Sequence, residues 1–148
     1  MEFITDKNEA LEFINKDNSD LEYISDELLA DREVVLAAVK KDGRIFEFIS
    51  EELQADREVA IEALKSYPIG LQDMNEELRN DKEIVLEAVK QNGWALINAS
   101  PELQADREVV LEAINQDPFV LEFASEELQV EFKQLQIKLV KKIIIINI

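Results

Sequence analysis

Carboxylates are the residues of this sequence with the numbers and the spacing to do chemistry. Aspartate recurs at Asp6, Asp31, Asp56, Asp81 and Asp106, and glutamate at Glu27, Glu52, Glu77, Glu102 and Glu127, each row stepping by 25 residues. Converging carboxylate oxygens bind Ca²⁺ or Mg²⁺, and two carboxylates flanking a glycosidic bond can cleave it. The wide step argues against both. Successive copies in a helical array stand about 10 Å apart, the width of a packed helix, which is too far for one ion to bridge. There is no Asp-x-Asp-x-Asp-Gly loop, and no single pair of acids is set apart from the others. Arg32, Arg57, Lys82 and Arg107 each lie between an Asp and a Glu, which fits ion pairing between neighbouring units better than a ladder for phosphate. Histidine and cysteine are absent, and with them the commonest general base, thiolate chemistry and disulfides. The expectation is a chain that is not an enzyme and holds no cofactor and no metal.

Both acid rows belong to a longer repeat. Asp31-Arg32-Glu33-Val34-Val35-Leu36-Ala37-Ala38-Val39 returns at 56–64, 81–89 and 106–114, with a looser copy at 6–14 and a degenerate one from Glu131. Five units of fixed period mark a repeat array. Asp31 is placed to cap a helix, Glu33 suits its positive end, and Lys40 and Lys41 suit its last turn. Val35, Leu36 and Val39 share helical spacing, so Leu86 and Leu111, the equivalents of Leu36, are expected in the core. Gly43 and Gly93, aligned with Asn18, are expected in the left-handed conformation that ends many helices. Pro68 and Pro118 cannot adopt it, so the units are expected to alternate in helix-to-helix angle.

A second short helix is expected from about Arg44 to Ile49, with Phe46 and Ile49 facing inward. The equivalent inward pairs are Leu21/Ile24, Leu71/Met74, Leu96/Ala99 and Leu121/Ala124. Next comes a one-turn connector capped by Ser25, Ser50, Asn75, Ser100 or Ser125 and pinned by a leucine. Helices this short need neighbours to bury their apolar stripe, and stacking in a row provides them. The fold class is therefore all-α: an α-solenoid of about five 25-residue repeats over residues 1–130. Residues 131–148 are read as a degenerate capping helix, with Leu128, Phe132, Leu135 and Leu139 on one stripe, followed by an Ile-rich tail. Residues 143–148 are β-prone and uncharged, which makes self-association through Ile143–Ile148 a candidate.

The pattern Asp-Arg-Glu-Val-Val-Leu-x-Ala-Val-x-x-x-Gly, then a Leu-x-x-Ala-Ser-like segment and Glu-Leu-Gln-Ala-Asp, resembles the bacterial repeat family known as domain of unknown function 4116. The resemblance covers roughly residues 6–130 and is strongest from Asp81 to Leu103. It departs at Asp6-Lys7-Asn8, Pro68 and Pro118. It implies an all-helical array and transfers no activity and no catalytic residue.

Function must then rest on charge and on the positions that vary between units. The net charge is −17. Four lysines against Glu131 give residues 131–148 a net of +3, leaving −20 for residues 1–130. Such a field repels nucleic acid and anionic membranes and draws basic partners. On the second helix the outward pairs are Ser19/Tyr23, Arg44/Phe48, Ile69/Asp73, Trp94/Asn98 and Phe119/Phe123, whose chemistry changes from unit to unit. Tyr, Trp, Phe and Arg are also the residues that anchor interfaces. These pairs, with the acids Glu62, Glu87 and Glu112, form the expected partner-binding set. The leading expectation is a module that binds another protein with a basic or mixed surface. The alternative is an acidic nucleic-acid mimic that inhibits a nuclease or CRISPR effector, of the anti-defence type carried by phages and mobile elements. Direct binding of nucleic acid or membrane is not expected. The opening residues lack a basic and apolar leader, and the expected location is the cytoplasm.

Overall fold

The recurring aspartates open helices, as their spacing predicts. A computed structural model describes residues 3–16 and 23–146, with residues 143–146 described by backbone alone. Its α-helices are α1 (Lys7–Asn15), α2 (Arg32–Lys41), α3 (Glu51–Gln54), α4 (Arg57–Ser66), α5 (Glu76–Arg79), α6 (Lys82–Gln91), α7 (Pro101–Gln104), α8 (Arg107–Gln116) and α9 (Glu126–Ile146). Asn18, Ser19, Leu21, Asn147 and Ile148 lie outside the described residues. Each of the ten-residue helices starts after an extended aspartate whose side chain accepts two backbone N–H bonds. Asp56 takes them from Glu58 and Val59, Asp81 from Glu83 and Ile84. Two of the donors that every helix start leaves unpaired are thus satisfied.

In the four units after the first, the second helix is a 3₁₀ helix, not an α-helix: Gly43–Phe48, Pro68–Asp73, Gly93–Asn98 and Pro118–Phe123. Six residues between two extended ones are too few for stable α-helix propagation, and the tighter i→i+3 turn closes such short pieces. The expected inward pairs hold. Phe46, Ile49, Leu71, Met74, Leu96, Ala99, Leu121 and Ala124 are all buried. The long helices α2, α4, α6 and α8 pack side by side in one layer, the 3₁₀ segments stack in a second, and the core lies between. The result is an all-α repeat solenoid.

Each long helix buries adjacent pairs one turn apart: Val34, Val35, Ala38 and Val39 in α2, Ile84, Val85, Ala88 and Val89 in α6. Leu36, Leu86 and Leu111 are only half-buried, which corrects the expected core face. At 3.6 residues per turn they sit about 130° round from the centre of that stripe.

The connectors α3, α5 and α7 follow as read, with Leu53, Leu78 and Leu103 buried. Asn75 and Ser100 cap their turns through their side chains, whereas Ser50 makes no such bond. These cap residues also tie the units together. The backbone N–H groups of Ser100 and Ser125 donate to the carbonyls of Arg79 and Gln104, at 3.0 and 2.9 Å. Ser25 donates likewise to Ile4, beside an isolated parallel bridge between Ile4 and Ile24.

Gly43 and Gly93 do not have positive φ. Asp42 and Asn92, with extended backbones, end the preceding helices, and each glycine is the first residue of its 3₁₀ helix. Proline suits that same position, because the N–H it lacks has no partner within the helix; at Gly43 that N–H donates to Ser66 Oγ of the next unit at 2.8 Å. What requires glycine is the next unit. A Cβ on Gly43 would collide with the Ala63 carbonyl, and one on Gly93 would lie 2.5 Å from the Ala113 oxygen. Pro68 has a Cβ in the equivalent slot, so the neighbouring helix cannot approach it as closely. The glycine and proline units thus differ in how closely the next helix can approach, not in a left-handed turn.

α9 closes the array and continues beyond it. Leu128 and Phe132 are buried, but Leu135 and Leu139, on the same stripe, are exposed. The helix runs unbroken across position 130, and residues 143–146, read as β-prone, continue it. No described helix is long and apolar enough to cross a membrane.

Two outcomes test this packing. Gly93→Ala should lower the unfolding free energy from urea titration by about 1–3 kcal/mol, the usual cost of overpacking; an unchanged value would show that the α8 carbonyl is not in contact. Leu64→Ala should cost about 2–5 kcal/mol as a fully buried truncation, and Leu86→Ala clearly less. Equal losses would mean that Leu86 faces the core as Leu64 does.

Candidate protein-interaction surface

Much of the negative charge is already paired inside the array. Lys7 lies 3.0 Å from Asp31 and 2.8 Å from Glu33 in the next unit. Arg32 Nε donates to Asp56 at 2.8 Å while the other arm of its guanidinium reaches Glu58. Arg57 repeats this on Asp81 and Glu83, and Lys82 on Asp106 and Glu108, both at 2.8 Å. Arg107 ends the row on Glu131 at 3.1 Å, with its guanidinium 5.6 Å from the Phe132 ring centre. The cation hydrogen bonds, helped by the backbone N–H groups, hold Asp31, Asp56 and Asp81 below the ordinary carboxylate range. At Asp106 burial pushes the other way, and Lys82 and the Val109 N–H outweigh it. Among the described residues no group of His, Cys, Asp or Glu is arranged to hold a metal ion.

Acids with no cation partner among the described residues line another edge. Glu51 and Glu52, Glu76 and Glu77, Glu102, and Glu126 and Glu127 stand exposed at the starts of the connectors and α9. Glu62, Glu87 and Glu112 differ from them. They are half-buried in the long-helix layer, Glu62 is held by Lys65 at 2.6 Å, and Glu87 accepts from Gln91. The 3₁₀ layer carries the variable aromatic residues, so the structure does not unite these three acids with them.

Arg44, Ile69, Trp94 and Phe119 are the second residues of their 3₁₀ helices, and all four are exposed. Phe48, Asp73, Asn98 and Phe123 do not share that face. A 3₁₀ helix repeats every three residues, so residue i eclipses i+3 rather than i+4. The residues below the first row are therefore Glu47, Gln72, Ile97 and Glu122, which sequence reasoning missed by assuming an α-helical period. Ile97 is exposed and extends the apolar surface of Trp94. Phe48 is 64% exposed, Asp73 is exposed, and Asn98 and Phe123 are half-buried. Tyr23 is half-buried, edge-on to Phe13 with ring centres 6.0 Å apart.

Trp94 is held by the following unit. Its indole Nε1 donates to Asp117 Oδ2 at 2.8 Å, and its ring lies 5.5 Å from that of Phe123, tilted by 60°. The other oxygen of Asp117 accepts from the Phe119 backbone N–H at 2.9 Å, which fixes the carboxylate. A family model described as domain of unknown function (DUF4116) matches residues 6–54, 56–104 and 85–129. The chain belongs to that family. The first two matches begin 50 residues apart, so one DUF4116 match spans two of the 25-residue repeats: 6–54 holds Asn18 and Gly43, and 56–104 holds Pro68 and Gly93. No curated protein and no solved structure matches the chain.

The shared aspartates set the pH dependence of stability. Their folded pKa values lie below the unfolded value, so their contribution is complete above about pH 4 and is lost as pH falls through the folded values. Urea stability should be level from about pH 7 to pH 5 and fall below about pH 4. Asp81→Asn should flatten that fall. An Asp81→Asn curve parallel to the parent's would show that the ion-pair row does not contribute it.

Proposed function

We propose that this DUF4116 array is a non-enzymatic protein-binding module whose recognition surface is the 3₁₀ layer, centred on Trp94. The observation that carries this is the preorganised indole. Trp94 is 41% exposed, yet Asp117 and Phe123 fix its ring. An exposed aromatic held in one orientation loses little freedom on docking, which favours affinity. Phe119, 78% exposed, and Ile97 widen the patch, while Arg44 and Ile69 change its chemistry along the array. We take the module to work in the cytoplasm on a partner whose own surface is basic or mixed, steered by the acidic field.

A second reading is favoured by the row of connector glutamates. Acids that recur every unit without a cation partner copy the regular charge of a nucleic-acid backbone, as an inhibitor of a nucleic-acid-binding protein would.

Capture of a partner from lysate, followed by titration calorimetry, separates the two. For the anchored module, Trp94→Ala should weaken binding by about 2 kcal/mol or more, and reversing Glu51, Glu52, Glu76 and Glu77 to lysine should mainly slow association. For the mimic, those reversals should abolish binding, nucleic acid should compete, and affinity should fall steeply with salt. A partner indifferent to Trp94, to the acids and to salt would refute both.

A further inference from the structure

α9 leaves the array with apolar surface uncovered. Leu128 and Phe132 are buried, but every residue from 133 to 142 is exposed. Among them Leu135, Ile137, Leu139 and Val140 are 44–60% exposed. A short helix without packing is marginal in water, and a cluster of exposed apolar residues marks an interaction site.

The charge along α9 identifies what covers it. Glu126, Glu127 and Glu131 stand at its start, and Lys133, Lys138, Lys141 and Lys142 follow along its outer part. Such a helix is complementary to itself when reversed. We propose that α9 is a dimerisation element, pairing antiparallel with α9 of a second copy about Gln134 and Leu135. In this register Lys138 faces Glu131 of the second copy and Lys142 faces its Glu127. The two pairs share one centre, because 131 and 138, and 127 and 142, are placed symmetrically about it. Leu135 and Leu139, beside that charged row on the helix surface, supply the apolar contact.

Long-range charge selects the orientation. A parallel pair would set lysine against lysine and bring two arrays of −20 side by side, whereas the reversed pair carries the arrays to opposite ends. An anionic lipid surface would attract the lysines but repel the array. The contact uses the same patch on both copies, so it closes as a dimer and does not propagate. It is independent of the Trp94 surface.

The full chain contains no cysteine, so single cysteines report the pairing directly. Light scattering should give twice 17.0 kDa for the parent and the monomer mass for the exposed-site variant Leu139→Asp. Lys142→Glu should lose the dimer, and adding Glu127→Lys in the same chain should restore it. On mild oxidation, Glu127→Cys mixed with Lys142→Cys should form a disulfide-linked pair, while Lys142→Cys alone should not. A parent that is monomeric at every concentration, a dimer that survives Leu139→Asp, or Lys142→Cys linking to itself would overturn the proposal. So would a monomer that binds phosphatidylserine vesicles through α9.

Discussion

One carboxylate does two jobs at each junction between units. Asp56 accepts the first N–H groups of α4 on one oxygen, and its other oxygen receives Arg32 from the unit before. The residue that stops the chain from being helical, and so turns it into the next layer, is also the residue its neighbour grips. Exposed ion pairs are weak alone, but here each cation meets a carboxylate whose other oxygen is already fixed by the backbone. The spacing between long helices follows from that geometry. The row ends where the aspartate does. Position 131 carries glutamate, which still receives Arg107 but favours helix where aspartate favours a cap. The chain is not turned there, and α9 runs straight out of the stack.

The repeat, the caps and the inter-unit ion pairs were legible in the sequence, because each depends on residue type at a fixed offset. The 3₁₀ helices were not, since Arg44-Ile45-Phe46-Glu47-Phe48 carries no local mark of its period. An α-helical period pairs Trp94 with Asn98, where the 3₁₀ backbone pairs it with Ile97. The glycines were misread for a related reason. Gly43 precedes a helix and follows lysines, which locally signals a left-handed turn, but what requires it is a carbonyl 20 residues away in the next unit. Contacts across units leave no trace in a local pattern. The same limit grouped Glu62, Glu87 and Glu112 with the variable aromatic residues, from which the long-helix layer separates them.

The exposed aromatic residues and the charge field occupy different parts of the molecule. The half-exposed Trp94 is held by a hydrogen bond and a ring contact from the next unit. The acids divide into those that build the array, neutralised by Arg32, Arg57, Lys82 and Arg107, and those on the connectors that remain available to an approaching molecule. A net charge of −17 therefore overstates the field of one face and understates that of another.

The glycine and proline positions also constrain the history of the chain. A unit with Gly43 or Gly93 is shaped for the helix that follows it, and a unit with Pro68 or Pro118 is not. Unequal crossing-over that inserted a single unit would set two like steps in succession and bend the stack at the seam. Duplication of a pair preserves every junction. Arrays of this kind should thus grow and shrink through recombination in blocks of two, and an odd unit should survive only at an end, where it has one neighbour to satisfy.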